Sequence, residues 1–170
     1  MQLKNGELTA GSVLYTRYKN AIYSFCVRML ENSESAKDTT QETFLKMITK
    51  IQSIDRGAAF KSWLFSVARN EVLMVVRRKN IVPMEQFVDE AAAVEHSTPL
   101  SITIQMELKE KIQTAIQKLK PAYREAYLLR EIEGLTYKEI AATTGSTESA
   151  VKSKLFKSRV ALNEMLSKYL

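Results

Sequence analysis

The sequence predicts an all-α protein of two small helical domains joined by a flexible linker, and three observations carry that expectation. Apolar residues recur at helical spacing over most of the chain. Only 5 glycines and 3 prolines interrupt its 170 residues, so regular structure meets few obligatory breaks. Two of those prolines, Pro83 and Pro99, fall within residues 80–101, a stretch with no basic side chain and little periodicity that reads as a linker. The expected division is a helical bundle over 1–80, a linker over 81–104, and a four-helix domain ending in a helix-turn-helix over 105–170.

The elements follow in order. Leu14, Tyr18, Ile22, Phe25 and Met29 form an i, i+4, i+7 stripe on a first helix of roughly 20 residues. Ser33 or Ser35 then caps a second helix, whose Thr40, Phe44, Ile48 and Ile51 share a face. After a short loop at Asp55–Ala59 comes a third helix from Phe60 to Lys79, apolar nearly all round and ending in Arg77-Arg78-Lys79. Beyond the linker, Leu108, Ile112, Ala115, Ile116 and Leu119 resume helical spacing. Pro121 punctuates, Tyr123 to Ile132 forms a short helix, and Gly134 ends it.

The last forty residues carry the most specific pattern. Thr136 caps a helix through Thr144, small Ala141 lies where a second helix must cross closely, and Gly145 sits in the turn. Thr147 caps the next helix, on which Val151, Leu155, Leu162 and Leu166 face the core. The opposite arc presents Ser153, Phe156, Lys157 and Val160, flanked by Lys152, Lys154 and Arg159. Such a helix suits the DNA major groove: cations neutralise phosphates, Ser153 reaches a base edge, and Phe156 meets a thymine methyl. The competing reading packs Phe156 against the helix at residues 105–119.

Charge agrees with a polyanionic partner. The net charge is +6, with 13 Lys/Arg against 7 Asp/Glu in residues 1–79, 0 against 4 in 80–101, and 12 against 8 in 102–170. A single Cys26 excludes an intramolecular disulfide framework, and one Cys with one His, His96, furnishes no zinc site of ordinary spacing. The longest apolar run, Val72–Val76, is far short of the roughly 20 residues that cross a bilayer, and no secretion signal is evident. A cytoplasmic protein without direct membrane insertion, metal or cofactor is expected. With no phosphate loop, nucleophile elbow or acid/base pair, it is not expected to be an enzyme.

Two further groups stand out in the N-terminal half. Asp38 and Glu42 lie one turn apart on the second helix, a like-charge pair that costs the helix about 0.2–0.5 kcal/mol and wants a cationic partner. Gln41 sits at the edge of that face, which is either a docking surface or an ordinary solvated one. On the third helix Phe60, Trp63 and Phe65 suggest base stacking, but Phe60, Trp63, Val67 and Met74 cluster on one face, and packing is the preferred role of Trp63. Lys61, Arg69, Asn70, Arg77 and Arg78 are the better candidates for touching DNA.

Together these segments resemble the extracytoplasmic-function sigma factors, the small two-domain specificity subunits of bacterial RNA polymerase. The resemblance rests on Ala36–Lys46, on Phe60–Asn70, and on Leu119 through Arg159, in that order and separated by a variable linker. It implies that residues 1–80 hold sigma region 2, with Asp38, Gln41 and Glu42 against the β′ clamp helices of core polymerase, which also offers its β subunit. It implies that Arg56 to Phe60 helps capture a base flipped from the −10 element, with Asn70 beside it and Lys61, Arg69, Arg77 and Arg78 supporting the strand. Region 4, in residues 105–170, would read the −35 element through Lys152, Ser153, Phe156 and Lys157. A further implied partner is an anti-sigma factor, possibly membrane-anchored. The sequence departs from the pattern at Met74 and Val76, where many relatives are acidic and then basic. It departs again at Thr144 and Ser146, polar where such turns are often apolar. The rival is a dimeric repressor or activator using the same helix-turn-helix on a palindromic site.

Overall fold

In the computed structural model, described over residues 5–50, 60–81 and 100–169, every regular element among those residues is helical. The first, α1, runs Asn5–Leu30 and buries Ile22, Phe25 and Cys26 from the expected stripe, with Leu14, Tyr18 and Met29 half-buried beside them. Burial holds the Cys26 thiol pushed up to about 12, against a small opposing effect of a hydrogen bond with Thr40, so it is a packing residue and no nucleophile.

Helix α2 (Ser33–Lys50) starts differently from the expectation of a serine cap. Asn32 Oδ1 accepts from the Ser35 backbone N–H at 2.7 Å, and Glu31, at φ 56°, makes the preceding left-handed turn. The buried face of α2 is Ala36, Thr39, Thr43, Phe44 and Met47. Ile48 lies 58% exposed, outside the stripe assigned to it, because a helix wedged between two neighbours buries a face one position round from the apolar count. Ile51 and the loop at 55–59 lie outside the described residues.

Helix α3 (Phe60–Ile81) closes a three-helix bundle with Leu64, Phe65, Ala68 and Val72, and the Phe65 ring meets Phe25 edge-on at 5.6 Å. Burying such a side chain contributes about 1.5–3 kcal/mol. Phe65 is therefore core, while Trp63 is half-buried and tilted against Phe60 at 6.0 Å. Met74 and Val76 are exposed, so the third helix is not buried all round.

Most of the expected linker lies outside the described residues, with α3 ending at Ile81 and α4 beginning at Leu100. Helix α4 (Leu100–Lys118) leads to α5 (Pro121–Tyr127), where Pro121 occupies a first-turn position that needs no N–H. The chain then continues as a π turn, Leu128–Ile132, rather than as one α-helix to Ile132, and Gly134 closes it at φ 70°. Helices α6 (Tyr137–Thr144) and α7 (Glu148–Leu166) complete the C-terminal unit, with a single 3-10 turn at Ser167–Tyr169.

The two helical units touch, and charged residues form much of the joint. Arg124, buried on α5, donates to the carbonyl of Arg28 at 3.0 Å and to Glu31 Oε1 at 2.5 Å, both at the C-terminal end of α1. It also bonds the carbonyls of Gln117 and Leu119, closing the turn between α4 and α5. Arg69 Nε donates to Glu125 Oε1 at 2.7 Å. Lys61 Nζ donates to the Glu133 carbonyl and lies 3.8 Å from its carboxylate. The Thr143 hydroxyl donates to the Ser62 carbonyl at 3.3 Å, seating α6 on α3.

Candidate nucleic-acid interface

The helix-turn-helix is built by local signals. Thr136 and Glu139 form a reciprocal capping box: the Thr136 hydroxyl accepts from the Glu139 N–H at 3.2 Å, and Glu139 Oε2 accepts from the Thr136 N–H at 2.7 Å. Gly145 ends α6 in the left-handed region at φ 62°, where a side chain would be strained. The polar residues Thr144 and Ser146 leave the turn intact, because the Thr144 hydroxyl donates to the Ile140 carbonyl at 2.8 Å and is 2.8 Å from Ser146 Oγ. Thr147 Oγ1 then accepts from the Ala150 N–H at 3.2 Å and starts α7.

Val151, Leu155 and Leu162 anchor α7 in the core, with Ser158 buried among them. Lys152, Ser153, Phe156 and Lys157 are all exposed on the opposite arc. Phe156 is 67% exposed, which removes the alternative in which it packs on α4. An aromatic ring this exposed adds little to folding. The flanking cations are partly arranged in advance: Lys152 Nζ lies 5.6 Å from the Tyr137 ring centre, and Arg159 is paired with Glu131 at 2.5 Å. That bond to Glu131 raises the Arg159 pKa further and leaves less of its charge for another anion.

The sequence-expected residues of α3 separate into two groups. Asn70, Arg77 and Arg78 are exposed, so Asn70 needs no partner inside the bundle. Lys61 and Arg69 are instead engaged by the C-terminal unit, and Phe60 packs against Tyr18 and Trp63. Arg56 lies outside the described residues.

On α2 the three expected residues do not share one recess. Asp38 and Glu42 line a cleft of about 490 Å³ between α2 and α3, together with Lys46, Glu71 and Arg78. Thr39 Oγ1 is buried at that cleft without a hydrogen-bond partner. Lys46 is drawn to Glu71 at 2.5 Å and stands 3.9 Å from Glu42, so Glu42 is only weakly compensated and Asp38 stays exposed. Gln41 lines the neighbouring groove between α1 and α2, beside Tyr15, Lys19, Phe44 and Leu45.

Sequence reading missed the charged joint between the units. Arg124 and Glu125 are buried polar residues whose partners are distant in sequence, and no local spacing marks them. Glu133 adds a testable detail. Desolvation by burial raises its pKa, opposed by the charges of Lys61 and Arg28. A raised native pKa means that ionised Glu133 costs the folded state at neutral pH, and that this cost disappears as pH falls below the unfolded value. Glu133→Gln is therefore expected to raise Tm slightly at pH 7 and to leave it unchanged near pH 4, as read by thermal circular dichroism. A lower Tm at pH 7 would mean that attraction to Lys61 outweighs the burial.

Among the described residues no group of His, Cys, Asp and Glu could hold a metal ion, and no helix is long and apolar enough to cross a membrane. Residues 14–81 match the family model for sigma-70 region 2, and residues 109–162 match that for sigma-70 region 4. The chain is 30% identical to the ECF RNA polymerase sigma factor SigW of Bacillus subtilis, over 97% of this chain and 93% of that protein. It is 32% identical to the ECF RNA polymerase sigma factor SigE of Mycolicibacterium smegmatis over 92% of this chain, which spans 61% of that longer relative. The solved sigma factor RpoE of Bartonella quintana, in complex with the anti-sigma factor NepR, superposes with a TM-score of 0.75 at 25% identity, covering 92% of this chain and 96% of that one. The solvent-exposed arc of α7 and the α2–α3 pair thus fall within the regions matched by the two family models, and the chain belongs to the ECF sigma factors of the sigma-70 family, the promoter-recognition subunits of RNA polymerase.

Proposed function

We propose that this sigma factor binds core RNA polymerase through α2, reads the −35 element with α7, and holds the opened −10 strand against α3. Residues 1–80 act as the polymerase and −10 domain, 81–104 as linker, and 105–170 as the −35 domain. Asp38, Gln41 and Glu42 meet the β′ clamp helices, and the C-terminal unit meets the β subunit. Asn70, Arg77 and Arg78, with Arg56 to Phe60 and the releasable cations Lys61 and Arg69, receive the unpaired strand. Melting is driven by binding: captured bases offset the few kcal/mol that each unpairing costs. Phosphate contacts make affinity fall steeply with salt. The protein turns over no substrate. An anti-sigma factor, like the one bound to the Bartonella relative, is the expected antagonist in the cytoplasm.

The observation that carries this reading is the exposed Phe156 between Lys152, Ser153 and Lys157 on the second helix of the turn. Phe156→Ala should reduce the preference for the −35 element by roughly 1–3 kcal/mol, the typical cost of losing recognition at one base pair, while core binding stays unchanged. Competition binding of holoenzyme on promoter fragments with intact and scrambled −35 elements measures it. Equal loss of DNA and core binding would show that Phe156 supports the fold instead.

A further inference from the structure

Glu71 is buried where α3 meets α2, at 8% exposure, and an ionised carboxylate there is costly unless a cation meets it. The cation comes from α2: Lys46 Nζ donates to Glu71 Oε1 at 2.5 Å, across 25 positions of sequence. Lys46 has a second acid within reach, Glu42, one turn earlier on its own helix at 3.9 Å. By spacing alone Glu42 and Lys46 are an ordinary helix pair, yet the structure commits the cation to the neighbouring helix. Glu71 is the less hydrated acid, its side chain 11% exposed against 49% for Glu42, and attraction between charges strengthens as water is excluded. No other nearby cation takes the vacated place: Arg78 lines the cleft without an ion pair to Asp38 or Glu42, and Lys37 lines the groove between α1 and α2.

We propose that Glu71 is a positioning residue for polymerase recruitment: by drawing Lys46 toward α3, it keeps the charge of Asp38 and Glu42 available to a cationic partner surface. The inference rests on the reading of α2 as the polymerase-docking face. Lys46 and Glu71 cancel as a pair, so the face presents two carboxylates. Without the Glu71 carboxylate, Lys46 has one acid left within reach, Glu42, and the two stand in the favourable i, i+4 order of acid before base. The partner then meets one free carboxylate where it met two, and must displace Lys46 to reach the second. Both carboxylates are exposed, so the change acts on the field that steers encounter more than on contacts sealed from water.

Equilibrium and stopped-flow fluorescence titrations of the full chain with core RNA polymerase test this. Glu71→Gln keeps the shape of the side chain and removes its charge, and it is expected to weaken core binding by roughly threefold, the scale of one exposed charge gaining a compensating partner. The loss should lie in the association rate and shrink as salt rises. Adding Lys46→Met to Glu71→Gln removes the stray cation and should return affinity and association rate to the parent values. A simple brace between α2 and α3 would behave otherwise, since losing its second half cannot repair the loss of the first. Glu42→Gln should also cost less core affinity in the Glu71→Gln background than in the parent, because its charge is already taken there. Asp38→Lys/Glu42→Lys, measured alongside, separates this proposal from the reading beneath it. If that variant weakens core binding and Glu71→Gln does not, the role of Glu71 is refuted and the α2 reading stands. If neither changes the affinity, both fall. A Glu71→Gln loss that persists with Lys46→Met, or that lies in the dissociation rate, would make Glu71 a packing residue and overturn the proposal.

Discussion

Asp38→Lys combined with Glu42→Lys is expected to weaken binding to core RNA polymerase by roughly one to two orders of magnitude, because reversing complementary charge at an interface typically costs a few kcal/mol. The geometry supports a loss on that scale. Of the cations lining this cleft, Lys46 is spent on Glu71 at 2.5 Å and is 3.9 Å from Glu42, and Arg78 forms no ion pair with either carboxylate, so the two present largely uncompensated charge. Both are exposed, and the double substitution exchanges one like-charge pair one turn apart for another and gives up the weak Glu42–Lys46 pair, so it costs the helix only about a few tenths of a kcal/mol. The variant should therefore melt close to the parent and bind −35 duplex as well as it does. Fluorescence titration with core enzyme gives the affinity. An unchanged value would return this face to solvent.

Arg124→Ala is expected to destabilise the chain by about 3 kcal/mol, at the low end for breaking a buried charged network because its partner Glu31 is half-exposed. Four acceptors lose their donor: the carbonyls of Arg28, Gln117 and Leu119, and the Glu31 carboxylate. The expected fall in Tm is roughly 6–12 °C for a chain of this size. Arg124→Met, which keeps the apolar stem and loses only the donors, should account for most of it. A loss below about 1 kcal/mol would show that water replaces these bonds at little cost.

What was legible in the sequence is what is local. Thr136, Gly145 and Thr147 act within four residues of themselves, and their types state their conformations in advance. The cap of α2 was misplaced by one to three residues because Asn32, Ser33 and Ser35 are all competent and only the entry angle of the chain selects among them. The phase of α3 was misjudged for a different reason. A helix apolar on most sides carries no moment to show that Phe65 turns inward and Met74 outward. Arg124, Glu125 and Glu133 were invisible as a group, since complementary charge between distant segments leaves no periodic trace. That group also decides the state of Lys61 and Arg69, which sequence reading treated as free cations. For Phe156 the two readings were separable only by exposure, which sets aside packing on α4 and leaves the base contact to be tested.

Reconstitution of the chain with core RNA polymerase on a library of genomic promoter fragments is the most direct measurement. A stoichiometric complex is expected, with transcripts starting downstream of fragments that share −35 and −10 elements, and with start-site firing lost in Asp38→Lys/Glu42→Lys and in Phe156→Ala for different reasons, the first at core binding and the second at promoter choice. No complex and no new start sites, with the chain folded and still binding duplex DNA, would contradict its action as a sigma factor.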